Sequence, residues 1–428
     1  MCIQVRDEEQ ASSPKGRSYD CVAAASLVLL WLLLGLPVAS SQLVRVLAIG
    51  SVSPVQSPVP YWLSLEPGVE YTLVPTRLYD VSAISPSEAR RMLRIYFPRT
   101  KTEIERYNCI LFSGGDVRYF SPSDIEMVKE AIRDGAGATT DMGGMSTVLY
   151  DFWIASGIWD VFPNDVLAVK SLWERGAPKD KSFQIEVNRQ LSYNPLKPFV
   201  ELGVEKVLGG RTRIISPREG STVYAWTRSQ SLFSISLGFD PAASVVWSYG
   251  KGRALAFEGW LGHSWWSSII DPCENEYGRD ILVNYLMDVA LGRYMTNIAM
   301  AHAVRQSFAD FENQEGYVLS IFEFVERFGV STGSLNKELA EVKEGLQLAR
   351  EEYVEGDLED ALHISRESST KLSGLVEKAL RMKDAALRWV YLTEWMVVAA
   401  ALMISGFVLE QIMVRKRLYR RVSSTRSS

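Results

Sequence analysis

The sequence predicts an α/β fold: a largely parallel sheet with β-rich additions, followed by a helical hairpin stalk and a C-terminal transmembrane helix. Three observations support this prediction. Short apolar runs alternate with helix start signals as far as Gly135, β-type residues and turns dominate residues 178–292, and only helical spacing remains after Arg293. Near the C-terminus, a last apolar run leads directly into a cluster of Arg and Lys residues. Alternating strands and helices are typical of parallel sheets with crossover helices.

The first part of the chain supplies the parallel strands and their crossover helices. Two helices are predicted from a repeated start signal, in which a Ser precedes a Pro at the first helical position and an acid at the third. These signals are Ser85-Pro86-Ser87-Glu88, before a helix over Ala89–Tyr96, and Ser121-Pro122-Ser123-Asp124, before a helix that ends at Gly135. The predicted strands around them are Val44–Ile49, Tyr71–Val74 and Cys109–Phe112.

Residues 178–292 add further strands. Apolar, β-branched and aromatic runs are bounded here by turn residues, and Tyr249-Gly250-Lys251-Gly252 predicts a tight hairpin between the last two runs. A helix over Ile281–Val289 closes the region. The predicted strands are Thr222–Thr227, Leu232–Leu237, Ser244–Ser248 and Ala254–Glu258.

Three stretches of this α/β body contain the turns at which a ligand site would form. Tyr107–Asp116 runs from a strand into a Gly-Gly turn. Ile125–Gly144 contains a helix, a Gly-rich turn, a short strand and a sharp strand-to-helix elbow, and Val246–His263 is a hairpin that ends at a histidine. In this order and spacing they resemble the class I glutamine amidotransferase-like superfamily, in particular its membrane-associated branch, over about residues 43–293. The resemblance implies that the sheet is flavodoxin-like and that the Gly-Gly turn is an oxyanion-side loop.

The chain departs from that family in its chemistry. Catalytic members place a cysteine at the elbow, activated by a histidine that a carboxylate orients. Here the elbow runs from Asp141 to Ser146 without a cysteine. His263 matches the histidine region, but Ser264 and Trp265 follow it in place of the expected acid. Two of the three triad positions are therefore missing or unsupported, and a non-catalytic domain is favoured.

Ser146 and His263 are the candidate catalytic residues that remain, as a serine hydrolase pair. Gly144 precedes Ser146 by two residues, but Val148 stands where a second glycine is expected in a G-x-S-x-G elbow. The alternative for Ser146 is the cap of the next helix, a common role for serine.

A ligand-binding edge is the other interpretation of these turns, because ligands of open α/β sheets bind outside the carboxyl ends of the strands. His263 is surrounded in sequence by Trp260, Trp265 and Trp266, which could form a recognition patch or simply pack together. The alternative for the two aspartates is turn and cap chemistry. The candidate ligand-binding residues are Gly114, Gly115, Asp116, Asp141, Gly143, Gly144, Trp260, His263 and Trp265. No metal or cofactor motif is predicted.

Two apolar stretches predict where the protein resides. Cys21–Ala39 carries no charge over 19 residues, and it is either a cleaved signal peptide or a retained signal anchor; both export the body. Tyr391–Val414 predicts a transmembrane helix, although its uninterrupted core, Trp395–Leu409, has only 15 residues and also fits a buried core helix. Basic residues after Val414 predict a cytoplasmic tail. The body is thus expected outside the plasma membrane, with one pass at the C-terminus, or two if the N-terminal segment is retained.

Between the body and this span, helical spacing predicts a stalk. One or two helices are expected over Ile298–Phe328, and helices over Leu335–Tyr353 and Leu358–Arg388 form an αα-hairpin. The predicted segments are 1–41 (N-terminal tail and signal peptide or anchor), 42–293 (amidotransferase-like α/β domain), 294–388 (stalk), 389–414 (transmembrane helix) and 415–428 (basic tail).

The net charge of the chain indicates which classes of partner are expected. The net charge of −5 gives no nucleic-acid footprint, so the expected partners are the lipid bilayer and another membrane or surface protein. Cys109 and Cys273 are either a disulfide or two unpaired thiols. Three functions follow: a non-catalytic ligand- or partner-binding protein, a hydrolase or amidotransferase with a rearranged active site, and an accessory subunit of a surface transport or envelope complex. The missing elbow cysteine favours the first over the second, and the first and third are compatible.

Overall fold

The computed structural model describes residues 43–51, 58–77, 85–141, 147–165, 183–208, 215–228, 240–259, 261, 266 and 275–424. Eight strands within these ranges form one sheet in the order β2-β1-β3-β4-β8-β7-β6-β5. The strands are β1 (Val44–Ser51), β2 (Val69–Arg77), β3 (Cys109–Ser113), β4 (Gly137–Asp141), β5 (Gln184–Val187), β6 (Thr222–Arg228), β7 (Ala242–Tyr249) and β8 (Gly252–Phe257).

Helices cover both faces of this sheet and continue beyond it. Those of the α/β body are α1 (Val59–Ser64), α2 (Pro86–Tyr96), α3 (Lys101–Ile104), α4 (Pro122–Asp134), α5 (Thr147–Ser156), α6 (Lys197–Val200) and α7 (Gly278–Leu291). Those of the stalk are α8 (Ile298–Glu326), α9 (Gly333–Glu355) and α10 (Leu358–Ser424).

The sheet has a parallel half and an antiparallel half. Strands β2, β1, β3, β4 and β8 are parallel to their neighbours, whereas β8, β7, β6 and β5 pair antiparallel. The parallel half has the flavodoxin-like arrangement, and β5 to β7 are the β-rich additions, so the predicted fold class is confirmed. The predicted hairpin is confirmed as well, with Tyr249 opposite Gly252. The predicted strand Leu232–Leu237 lies outside the described residues.

The two predicted helix start signals are confirmed in atomic detail. The Ser85 side chain accepts the Glu88 backbone N–H while the Glu88 carboxylate accepts the Ser85 N–H, and Ser121 and Asp124 repeat the arrangement. Each such capping box satisfies two N–H groups that a helix start leaves unpaired. The local sequence therefore determines where α2 and α4 begin.

Alternate residues of the parallel strands enter two separate cores. On one face, Ala48, Leu111 and Phe257 pack with residues of α7. On the other, Ile49 and Phe112 pack with residues of α2, α4 and α5. The body is thus a three-layer α/β structure, in which the carboxyl ends of the parallel strands meet at one edge of the sheet.

The stalk is a three-helix bundle, because α8 joins the predicted hairpin of α9 and α10. One apolar cluster unites all three helices near the body and a second unites them farther along. Lys343 of α9 pairs with Glu315 of α8, and Lys378 of α10 pairs with Glu338 of α9. These are exposed pairs, worth at most about 1 kcal/mol each, so apolar packing supplies most of the stability.

Beyond the bundle, α10 continues as an exposed apolar helix. Its most apolar 18-residue window has none of its residues buried, which does not fit the alternative of a buried core helix. The helix is long and apolar enough to span a membrane. In full, α10 has 67 residues, or about 100 Å at 1.5 Å per residue.

Candidate functional site at the carboxyl edge of the sheet

The Gly-Gly turn after β3 is held in a conformation that needs glycine. Gly114 has φ +58°, in the left-handed region that other residues rarely adopt. Across from it, Gly50 at the end of β1 has φ +148°, and a Cβ there would lie 1.9 Å from the Ser113 carbonyl oxygen. The Gly115 carbonyl accepts a hydrogen bond from Trp153 Nε1 of α5 at 2.9 Å. Backbone proximity and one indole thus fix the turn.

Asp141, the last residue of β4, ties this turn to neighbouring segments. Its carboxylate accepts hydrogen bonds from the Gly114 backbone N–H at 2.8 Å, the Ser113 hydroxyl at 3.3 Å and the Leu261 backbone N–H at 3.5 Å. The side chain is fully buried. Gly114 and Asp141, both predicted site residues, are therefore in direct contact, and the contact is internal to the fold.

Asp116 stabilises the short helical turn that follows the Gly-Gly turn. It caps the short 3-10 helix Val117–Tyr119 by accepting the Arg118 N–H, and it also accepts from the Arg118 guanidinium. This pairing raises the pKa of Arg118 above its usual value. The guanidinium also lies 5.5 Å from the Tyr119 ring centroid and 5.6 Å from that of Phe152. For Asp116 the structure thus supports the alternative of turn and cap chemistry.

The remaining predicted site residues lie outside the described residues, so their geometry stays a prediction: Gly143, Gly144, Ser146, Trp260, His263 and Trp265. Of the aromatic group around the histidine, Trp266 is described. It is buried, with its ring centroid 4.9 Å from that of Phe257 and 6.4 Å from that of Tyr285. Trp266 therefore belongs to the core and is not part of an exposed patch.

The burial of Cys109 prevents it from acting as a nucleophile. It lies in β3 as a buried free thiol, which confirms the unpaired alternative for this residue, while Cys273 lies outside the described residues. Burial raises the pKa of the Cys109 thiol. Because the thiolate is the reactive form, this cysteine is inert in the folded protein.

Sequence reasoning missed a buried acid at the same edge, Glu258, directly after β8. Its carboxylate accepts the Thr227 hydroxyl at 2.6 Å, and its backbone N–H donates to the Ala243 carbonyl at 2.7 Å. Glu258 thus links the parallel and antiparallel halves. The signal was present in the sequence, since an acid ends an otherwise apolar run.

A second feature that was missed joins the body to the stalk. Arg305 of α8 is fully buried, with Nε 2.7 Å from Glu66 Oε2 and Nη1 2.5 Å from Asp280 Oδ1. The Tyr353 hydroxyl of α9 donates to Glu66 at 2.7 Å, and His302 Nδ1 lies 2.8 Å from Asp280 Oδ2. We call these five residues the body–stalk joint.

Arg305 supplies the permanent positive charge of the joint, against the carboxylates of Glu66 and Asp280. Burial alone would raise the pKa of Asp280, but the charge of Arg305 and the contact with His302 outweigh it and lower that pKa. Nearby, Arg350 Nε of α9 donates a hydrogen bond to the Pro67 carbonyl at 2.6 Å, which is a further direct contact between stalk and body. The stalk is therefore docked on the body through buried, directional contacts. Arg305 on an apolar helix face was the available sequence signal.

Asp288 of α7 forms another buried polar cluster, near the amino-terminal end of β8. It accepts the hydroxyls of Tyr193 at 2.8 Å and Tyr224 at 2.9 Å and pairs with Arg253 at 3.0 Å. Burial raises the pKa of Asp288, against the effect of these partners. The cluster lies opposite the candidate edge and connects α7 to the sheet.

Within the described part of the chain, no group of three or more His, Cys, Asp or Glu residues is placed to hold a metal ion. A shallow groove runs along edge strand β5, lined by Trp226, Arg189 and Glu205 among others. The Glu205 carboxylate accepts the Val187 N–H at 2.9 Å, which satisfies one of the backbone donors that an edge strand leaves unpaired.

Comparison with known proteins places the chain in no family. No family model matches it, and no curated protein is significantly similar to it. Two solved structures from Salmonella typhimurium are distantly similar, both described as cytoplasmic proteins. STM3548 shares 16% identity over 57% of this chain and 98% of its own, with a TM-score of 0.38. STM1381, from strain LT2, shares 14% over 57% of this chain and 99% of its own, with a TM-score of 0.41.

Proposed function

We propose that this is a membrane-anchored extracytoplasmic protein whose amidotransferase-like domain binds a ligand or partner without catalysing a reaction. The observation that carries the proposal is the 2.8 Å hydrogen bond from the Gly114 N–H to the Asp141 carboxylate. In the resembling family this turn lies on the oxyanion side. An oxyanion hole needs N–H groups that are available to the charge developing on the substrate, and this one is already engaged by a buried acid.

The negative charge of Asp141 beside the Gly-Gly turn also disfavours acyl transfer. A carboxylate beside the turn would repel an oxyanion, whereas acyl-transfer enzymes place donors or positive charge there. The described cysteine offers no substitute nucleophile, because Cys109 is buried in β3 with a raised pKa. The absence of a cysteine from the elbow sequence points the same way. Together these features favour binding over acyl transfer.

The membrane part of the proposal is supported by the exposed apolar length of α10 and by the charges that follow it. Arg415, Lys416 and Arg417 come directly after the span, and basic clusters are retained on the cytoplasmic side. The tail is therefore cytoplasmic and the body lies outside the plasma membrane. A partner at the carboxyl edge would then be another membrane or surface protein, as for an accessory subunit of a surface complex.

Catalysis is tested on the full-length protein in mild detergent. We expect neither glutamine nor ester hydrolysis above the buffer rate, and no mass increase after incubation with an electrophilic glutamine analogue. The matched controls are His263→Ala and Ser146→Ala, which should behave as the unmodified chain does. Turnover or a covalent adduct that disappears in either variant would show that the domain is an enzyme.

Topology is tested separately, with an epitope fused after Ser428 and protease added to intact cells. We expect the protease to digest the body and to leave the epitope attached to a membrane-embedded fragment. Digestion of the epitope with survival of the body would reverse the proposed orientation.

A further inference from the structure

The end of the stalk bundle that is farthest from the body carries an exposed aromatic residue. Residues 327–332 connect α8 to α9, and we call this turn the bundle tip. Phe328 within it is 40% exposed, and its ring lies 4.9 Å from that of Phe324. Buried Thr332 bonds to Glu326 and accepts from Asn336 Nδ2 at 3.0 Å. The tip is thus a fixed turn that leaves a large apolar ring uncovered.

The position of the tip along α10 follows from a cross-helix contact. The Ser373 hydroxyl donates to Gln314 Oε1 at 3.2 Å, which places these residues of α10 and α8 at one level. Both helices run away from the body with the same rise, so Phe328 and Leu387, each 14 residues farther on, also share a level. Among the residues of α10 whose burial is described, which end at Tyr419, Ala386 is the last buried one, and this agrees with a bundle that ends there.

This level coincides with the expected membrane surface. The apolar span begins at Tyr391, four residues after Leu387, or about 6 Å along the helix. The polar headgroup layer is about 5–7 Å thick on each side of the hydrocarbon core. A span needs about 20 residues, so Tyr391–Val414 leaves little chain for an aqueous gap. The bundle therefore meets the bilayer directly.

We propose that the bundle tip seats in the lipid headgroup layer, with Phe328 as the inserted side chain. Aromatic rings are favoured at this depth, and Trp389 and Tyr391 of α10 are exposed at nearly the same level. Arg327 beside Phe328 is 73% exposed and pairs with Glu323, which is itself exposed, and its long side chain can exchange this surface pair for a lipid phosphate. This inference rests on the proposed membrane anchoring and adds a second contact point, which would hold the stalk upright.

The test uses the full chain in liposomes, with an environment-sensitive fluorophore on single added cysteines. Ser331→Cys reports the tip and leaves Phe328 in place. Leu348→Cys, 56% exposed on the side of α9, reports water, and Leu402→Cys, 69% exposed within the span, reports the bilayer. The chain without an added cysteine, labelled in parallel, corrects for its own four cysteines. Quenching is measured with aqueous iodide and with two lipids, one that carries a quencher near its headgroup and one that carries it on the acyl chain, at the depth of Leu402.

We expect the headgroup quencher to act several-fold more strongly on the tip label than on the Leu348 label, and the acyl-chain quencher to act several-fold more strongly on the span label than on the Leu348 label. Iodide should quench the Leu348 label most. A tip label that behaves like the Leu348 label, while the span label stays lipid-quenched, would refute tip insertion and leave anchoring intact. A span label quenched by iodide would refute anchoring and the inference with it.

A pair of substitutions assigns the effect to the phenylalanine. Phe328→Ser in the Ser331→Cys background should shift the tip label toward iodide quenching. Leu319→Ser likewise removes an apolar side chain, from a 44% exposed position on α8, but it should leave the quenching of the tip label unchanged. Equal responses to both substitutions would show that Phe328 is not the inserted group.

Discussion

The body–stalk joint makes the sharpest prediction, through Arg305→Met. Methionine fills much of the same volume but leaves the carboxylates of Glu66 and Asp280 buried without their cation. Breaking a buried ion pair by removing one partner costs about 3–5 kcal/mol. Tyr353 and His302 still contact the two acids, so we expect the lower end, about 3 kcal/mol in the free energy of unfolding.

The assay is guanidinium unfolding of the full chain in mild detergent, followed by tryptophan fluorescence. The matched control is Arg381→Met, which removes an exposed pair with Glu377 and should change stability by less than about 0.5 kcal/mol. The triple variant Arg305→Met, Glu66→Gln, Asp280→Asn should recover part of the loss, because it removes the uncompensated charges as well. A loss below about 1 kcal/mol for Arg305→Met would refute the view that Arg305 stabilises two buried carboxylates.

The interaction between Arg305 and Asp280 should also appear in the pH dependence of the free energy of unfolding. Because Arg305 and His302 lower the pKa of Asp280, its ionised form stabilises the fold above the ordinary carboxyl pKa near 4, and this contribution is lost as pH falls through the lowered value. In Arg305→Met the acid loses its cation, so its pKa should rise and acid should relieve the buried charge. The stability difference between the two proteins should therefore narrow between pH 7 and pH 4. A constant difference would contradict this assignment of the charges.

Three further predictions concern the body and the stalk surface. Gly50→Ala should destabilise the protein by about 2–4 kcal/mol, because the new Cβ would lie 1.9 Å from the Ser113 carbonyl oxygen. Gly374→Ala, at an exposed helical position with open space around it, should instead stabilise it by about 0.5–1 kcal/mol. Equal shifts of the two melting temperatures would contradict the geometry at Gly50. Cys109 should resist a maleimide at pH 8 until the protein is denatured, as peptide mass spectrometry would show, since burial raises its pKa. Asp141→Asn should cost about 1–3 kcal/mol in the same unfolding assay through its weakened hydrogen bonds, and an unchanged midpoint would mean that the acid is not a structural tie.

The local signals in the sequence predicted local structure well. Ser85 and Ser121 begin helices because the atoms that cap a helix lie within four residues of one another, so the chemistry is readable from the sequence alone. The same holds for the β7–β8 hairpin, whose turn residues determine the pairing of Tyr249 with Gly252. The apolar length of the C-terminal helix is also a purely local property.

Contacts between distant segments were not predictable in this way. Arg305 reaches Glu66 across 239 positions of sequence, and neither residue has a neighbour in the chain that indicates the other. Asp141 was a predicted site residue, but its use as an acceptor for Gly114, 27 positions away, depends on which strands lie side by side. The stalk gained a third helix for a similar reason, since helical spacing identifies an apolar face without naming the helix that covers it.

The choice of ions for the joint has a structural consequence. Replacing a buried ion network by apolar residues of similar volume is often neutral or stabilising, so this network is not explained by stability alone. A guanidinium with two carboxylates has one docking geometry that satisfies all three, whereas an apolar surface tolerates sliding. Since α10 passes without a break from the bundle into the exposed apolar segment, a single orientation at the joint fixes the direction of that segment relative to the body. Under the anchoring and partner binding proposed above, this fixed direction would present the carboxyl edge to a partner in the same membrane, which can approach only from limited directions.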